Sequence, residues 1–362
     1  MRGGARPVPP PTGRSWDTPV SETIDNRIGE TRAPSPGPPA RGPLRTGAEA
    51  FLRRREASIL LVAVALFVYF RTASDVFLTN DNLVNISQVL APAAIIAVGQ
   101  VLLLVSGEID LSVGMVFTLA PFLVHYAIDY YGVFPVPAIA LALLAASAIG
   151  FVNGFVTVVL KVPSFVTTLG TLFVVNGITL TTSHAYPAEI PPAAVGIEGW
   201  FGRAPWAELI WAVLIVAFFH VVLTRTRWGL HTVAVGGNPL GASEAGIRAG
   251  RIKIGNFMIT SVLGAFAGIL EAFRVQSIDP TAGGTGIMFT AVAAAVIGGT
   301  ALAGGSGTVI GAFLGALVLA VLGNGFNLIG ISANPFNLIL GAAILISMIS
   351  NVYLARLRRA GR

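Results

Sequence analysis

From Ala57 to Leu354 the chain is a succession of apolar runs, broken by short polar or glycine- and proline-rich connections. The runs are long enough for a bilayer core of about 30 Å, which a helix of roughly 20 apolar residues crosses. They are apolar all round, whereas the strands of a membrane barrel alternate in polarity, so the spanning elements are helices. We expect helices near 57–71, 83–105, 112–128, 136–159, 164–183, 206–224, 254–273, 288–302, 306–322 and 335–354. The expected fold is therefore all-α: an integral membrane, polytopic bundle of about ten transmembrane helices. The first helix is short for a span, and Arg71 snorkels from its far end. Two glycine-bracketed stretches, 107–114 and 298–307, leave room for re-entrant pieces.

Composition agrees with that pattern. Only 11% of residues are charged, against about 25% in soluble proteins, so lipid must cover much of the surface. The net charge of +6 raises the question of nucleic acid, but its placement answers no. Basic residues sit at 53–55, at Lys161, through 225–253 and at 356–362, all flanks of apolar runs, where positive charge marks the cytoplasmic side. Both termini then lie in the cytoplasm, and the 184–205 and 274–287 loops face outward. Residues 1–50 hold ten prolines and seven arginines with few large apolar residues. We expect a disordered cytoplasmic tail there rather than a secretory leader, and a transmembrane domain over 57–355. Cysteine is absent, which excludes disulfides and thiolate chemistry.

One internal echo stands out: Asn153-Gly154-Phe155 before Pro163-Ser164-Phe165, and Asn324-Gly325-Phe326 before Pro335-Phe336. The two copies fall on opposite sides of the expected topology, at unequal distances from the preceding glycine-rich turns. We read the echo as chance in a glycine-rich chain.

Several segments carry candidate chemistry. Glu108 and Asp110, with Ser112, sit between two apolar runs. An acid at membrane depth must be paired, cap a helix or face an aqueous path. Capping by Asp110 or Ser112 and a polar lining of the path both remain open. In the 225–253 loop, Gly236-Gly237-Asn238-Pro239 opens a short helix through Ala242 and Glu244 that Gly246-Ile247 ends. Such a helix between glycine turns suits docking into a partner, or is an ordinary exposed loop. Glu271 and Arg274 are spaced i to i+3, on one helix face, where they can pair to anchor the helix end or contact substrate. The run 298–307 has five glycines but no neighbouring lysine, so it is not a phosphate-binding loop and this chain binds no ATP by such a motif. Asn324 and Asn327 offer both donors and acceptors, suited to sugar hydroxyls or to bonds between helices. No metal-ligand spacing is present.

Taken in order, these segments resemble the permease subunits of ribose/xylose-type ABC sugar importers, over about residues 75–354. The most specific pieces are 107–114; Asn153-Gly154 with 162–170; 236–238 with Gly246-Ile247; 280–283; 298–305; and Asn324-Gly325 with Asn327-Leu328 and Gly330. The resemblance implies an ABC-importer permease fold in the bacterial plasma membrane. It implies a second permease copy, a cytoplasmic ABC ATPase that binds the ATP, and an extracytoplasmic sugar-binding protein, with no cofactor and no catalysis in this chain. It identifies Gly236, Gly237, Asn238, Ala242, Glu244, Gly246 and Ile247 as the element that couples to the ATPase. The expected sugar path then involves Glu108, Asp110, Ser112, Asn153, Asn324 and Asn327. Two departures stand out. Gly286-Ile287-Met288-Phe289-Thr290 lacks the acids usual in ribose-type members, and Pro239-Leu240-Gly241 replaces an acidic, alanine-rich run. The alternative function is an ion-coupled secondary transporter of a small polar solute.

Overall fold

The computed structural model describes residues 55–194 and 196–330, with five further helical positions at Leu338, Gly341, Ala342, Leu345 and Ile349. The 1–50 region, the basic residues at 356–362 and most of the expected 335–354 helix lie outside the described residues. The helices are α1 (Arg55–Ala73), α2 (Asn80–Val105), α3 (Val113–Asp129), α4 (Pro135–Val158), α5 (Ser164–Ser183), α6 (Ala207–Arg225), α7 (Arg227–Gly237), α8 (Pro239–Glu244), α9 (Ala249–Val275), α10 (Gly284–Ile297) and α11 (Val309–Leu328). Seven of them, α1, α2, α4, α5, α6, α9 and α11, are long and apolar enough to cross a membrane, while α3 and α10 are apolar but shorter. Strands β1 (Ala188–Glu189) and β2 (Ser277–Ile278) pair antiparallel. They mark the β end of the bundle. Lys161 and the stretch from Arg225 to Lys253 mark the opposite, basic end.

Local chemistry sets several boundaries. Thr79 accepts from Asn82 N to cap α2, and Thr308 accepts from Gly311 N at 2.8 Å to cap α11. Proline opens α4, where its missing N–H costs nothing. At the core, α2 is buried along almost all its length, whereas α4, α5 and α6 expose large apolar side chains such as Leu144, Phe173 and Phe218. Three of the expected helices have shifted boundaries. Helix α9 begins at Ala249 rather than near 254 because its first turn carries Arg251 and Lys253, which hydropathy alone excludes. Helix α10 covers Gly284–Ile297, not 288–302, and α11 covers Val309–Leu328, not 306–322.

The two short helices organise the interior. Helix α9 has 27 residues, a length of about 40 Å, and Gly264 lies just past its middle. Val113, the first residue of α3, packs against Gly264, and Phe117 packs against Gly268. Helix α3 therefore starts at half depth and runs parallel to α9 toward the β end. Helix α10 starts beside it, since a methyl group on Gly114 would collide with the Gly284 carbonyl oxygen. It then runs the other way, antiparallel to α11, with Gly298 against Gly311 and Ala294 against Gly315. The 274–287 segment is thus not a simple surface loop. After β2 it returns to half depth.

This arrangement is an inverted pair. Helix α2 runs to the basic end, the chain folds back, and α3 leaves half depth for the β end. Helix α9 runs to the β end, the chain folds back, and α10 leaves half depth for the basic end. Helices α4 and α11 follow in opposite directions. Asn153 follows Val113 and Asn324 follows Gly284 by the same interval, each near the C-terminus of its helix. The Asn-Gly-Phe parts of the echo read as chance occupy equivalent places, while Pro335-Phe336 lies outside the described residues. Lying on opposite sides is what an inverted-topology repeat requires, so that objection was misapplied.

Candidate functional site

At the turn between α2 and α3, Asp110 is fully buried. Its Oδ1 accepts from Ser112 N at 2.8 Å and from Ser112 Oγ at 2.6 Å. Asn153 Nδ2 donates to Ser112 Oγ at 2.9 Å, and Thr171 Oγ1 donates to Asn153 Oδ1 at 2.6 Å. Gln100 Nε2 donates to the Asp110 carbonyl at 2.6 Å. The network ties α2, α4 and α5 to the start of α3. Ser112 makes no capping bond with its side chain; Asp110 is the residue that turns the chain into α3. Asp110 Oδ2 has no partner among the described residues, and the partial positive charge at the α3 N-terminus lowers the cost of leaving it so.

Glu108 sits apart from this network. Lys253 Nζ donates to its Oε1 at 2.5 Å, joining the turn to the first part of α9. Both line an open cavity of about 410 Å³ at the basic end, which Lys161, Ser164 and Pro239 also border. Of the expected path asparagines, Asn324 exchanges two bonds with Asn82, at 3.0 and 2.8 Å, linking α11 to α2 near the β end. Asn327 is exposed one turn further on.

The 236–247 segment runs from the end of α7 through the short helix α8 at the basic end. Asn238 Oδ1 accepts from Gly241 N at 3.0 Å and caps α8. Gly246, at φ +77°, reverses the chain, and Ile247 N donates to the Ala242 carbonyl at 2.9 Å, a glycine-type helix stop. Ala242 is buried with Val235 and Ile252, Ile247 packs on them, and Glu244 stays exposed. The base of this element is backbone on backbone. Gly236 abuts the Val105 carbonyl, and Gly305 N donates to that same oxygen at 2.8 Å. Gly304 and Gly305 have φ of +83° and +76°, so the glycine-rich 298–307 run supplies the tight turn its sequence permits. A buried chain continues inward: Trp228 Nε1 donates to Asn256 Oδ1 at 2.9 Å, and Asn256 Nδ2 to the Leu102 carbonyl at 3.2 Å. Sequence reasoning missed Asn256, although an isolated amide in an apolar helix is a recognisable signal.

At the β end Glu271 and Arg274 pair as their spacing predicts. A third member, Glu208 at the start of α6, was missed. Its Oε2 lies 3.3 Å from Arg274 Nε, and its side chain is only 3% exposed. One guanidinium serves two carboxylates. Arg203 pairs with Glu198, and Arg71 with Asp75, so all three described arginines at this end are matched by acids. Among the described residues no group of three or more His, Cys, Asp or Glu forms a metal cluster.

Comparison with known proteins places this geometry. Residues 82–348 match the family described as branched-chain amino acid transport system / permease component. The chain is 39% identical over 311 residues to a xylose/arabinose import permease protein of Sulfolobus acidocaldarius, covering 84% of this chain and 87% of the relative. It is 34% identical over 300 residues to a ribose import permease protein of Escherichia coli K12, covering 81% and 92%. A ribose import permease protein of Bacillus subtilis is 34% identical over 277 residues, covering 75% and 85%. No solved structure matches the chain.

Proposed function

We infer a transport role from one premise: the chain belongs to the branched-chain amino acid transport system / permease component family, and within it to the permeases of ABC sugar importers. It is a multi-pass membrane protein and the permease, not the ATP-hydrolysing, component. Its substrate on this reading is a monosaccharide, pentose or hexose. The observation that carries this is the continuous similarity, across more than four-fifths of the chain, to a xylose/arabinose import permease.

The rest of the reading joins family membership to charge and geometry. The basic end is cytoplasmic and the β end extracytoplasmic, as the positive-inside rule supports. A cytoplasmic ABC ATPase binds the ATP and docks on α8, with Gly236, Gly237, Asn238, Ala242, Glu244, Gly246 and Ile247 forming the coupling element. An extracytoplasmic sugar-binding protein docks on the β end, and a second permease copy completes the path. This chain carries out no covalent chemistry and needs no cofactor of its own. Asp110, Ser112 and Asn153 hold the half-depth junction rather than touch sugar, because their polar atoms are buried and mutually bonded. Glu108 borders the inner mouth, and Asn324 and Asn327 lie toward the outer one. ATP binding favours one of two arrangements of the bundle, and the partners' unequal affinities for the two drive the cycle. The ion-coupled alternative has little support, since Glu108, one of its two candidate acids, is already paired with Lys253.

The test is reconstitution in proteoliposomes with the ATPase and binding protein. ATP-dependent uptake of D-xylose, L-arabinose or D-ribose is expected, and the ATPase co-purifies with the permease. Uptake that persists without any ATPase would overturn the assignment in favour of a secondary transporter.

A further inference from the structure

Between α3, the outer half of α9 and the segment returning from β2 lies an open cavity of about 200 Å³. Gly268 forms part of its wall because the Phe117 carbonyl leaves no room for a side chain there. Most of the lining is apolar, and the polar contributors are few: Thr118, Glu271, Ser277 and Asp279. A mostly apolar recess with a few convergent polar groups is the general form of a small-molecule site. Its volume falls below the roughly 300 Å³ at which drug-sized pockets begin, so it takes one small ring and not two.

The polar groups share one character. Thr118 Oγ1 donates its proton to the Gly114 carbonyl at 3.1 Å, which leaves it only lone pairs to offer. Glu271 is fixed in place by Arg274, itself held by Glu208, so its carboxylate is oriented and its charge already matched. Asp279 commits Oδ1 to Thr281 N and Oγ1, both at 2.7 Å, and keeps Oδ2. The recess thus presents acceptors in a mostly apolar wall. A neutral ring with several hydroxyl donors fits that set. The position fits as well. Thr118 lies against Gly283, one turn from the crossing of α3 and α10 at half depth.

We propose that this cavity is the holding site in which the permease receives a single monosaccharide ring from the β end before it passes the half-depth crossing. The proposal rests on the import reading above. Glu271 and Asp279 accept the sugar hydroxyls.

Two variants test it in the complete complex, with D-xylose as the probe. Ala282→Leu fills the cavity from its exposed rim. Asp279→Asn keeps the Thr281 turn, since an amide oxygen still accepts both bonds, but replaces the second acceptor with a donor. Ala282→Leu is expected to cut ATP-dependent xylose uptake at least tenfold, and Asp279→Asn at least threefold. ATP hydrolysis stimulated by the loaded binding protein should stay at the wild-type level in both. Wild-type uptake by Ala282→Leu overturns the holding site, as does loss of stimulated hydrolysis in step with uptake. If the wild-type complex moves no monosaccharide at all, the import reading fails and this site with it.

Discussion

The backbone of Gly114, one residue into α3, lies directly against the Gly284 carbonyl that opens α10, so the two half-depth helices cross with no side chain between them. Gly114→Ala puts a methyl group onto that oxygen, where backbone must yield. Overpacking of this kind costs about 1–3 kcal/mol. Thermal unfolding of the purified permease in detergent should show a lower midpoint for Gly114→Ala. Gly170→Ala, where nothing lies within 4 Å, should leave it in place.

Glu108 and Lys253 form the next test. Their side chains are 12% and 22% exposed, so removing one partner strands a largely buried charge. Breaking a fully buried pair costs about 3–5 kcal/mol, and this partly solvated one should cost less. Lys253→Met alone should therefore be more destabilising than Lys253→Met combined with Glu108→Gln. A double-mutant cycle by denaturant unfolding reads the difference, and simple additivity would exclude a direct interaction.

Arg274 serves two acids, and its loss should not be equivalent to the loss of either. Arg274→Met leaves Glu208, buried at the head of α6, without its cation, at a cost of about 3 kcal/mol. Glu271→Gln keeps the Arg274–Glu208 contact and should cost a fraction of that. Equal losses in an unfolding assay would show that Glu208 gains nothing from Arg274.

Gly246 separates coupling from folding. Its φ of +77° strains any residue with a Cβ, by about 1–2 kcal/mol, but no atom crowds it. Gly246→Val should insert into membranes at the wild-type level and lose most ATP-driven uptake. Undiminished uptake would remove the coupling role from this turn.

The spans were legible because each long apolar run answers to one physical demand, the thickness of hydrocarbon. What hydropathy could not see was where a helix begins when its first turn is charged, as in α9, or small, as at Gly283-Gly284. The return of the chain after β2 was hidden for the same reason, since Thr281-Ala282-Gly283 looks like any loop. Glu271 with Arg274 was readable because one helix turn fixes their distance. Glu208 was not, for it meets Arg274 only through tertiary packing. Asp110 raised the question of capping or path, and its bonds to Ser112 and, through it, Asn153 arise from tertiary packing that the sequence does not display. The Asn-Gly-Phe echo was visible but misjudged, because opposite placement was taken as evidence against a repeat.

The meeting of Gly236, Val105 and Gly305 bears on how force crosses this protein. Side chains are springs: they change rotamer and absorb displacement before passing it on. Here three main chains touch with no spring between them, so a push on α8 reaches the end of α2 and the α10–α11 turn with almost no slack. A joint with so little play makes a short stroke at one end of the bundle sufficient, and any side chain added at Gly236 would jam it.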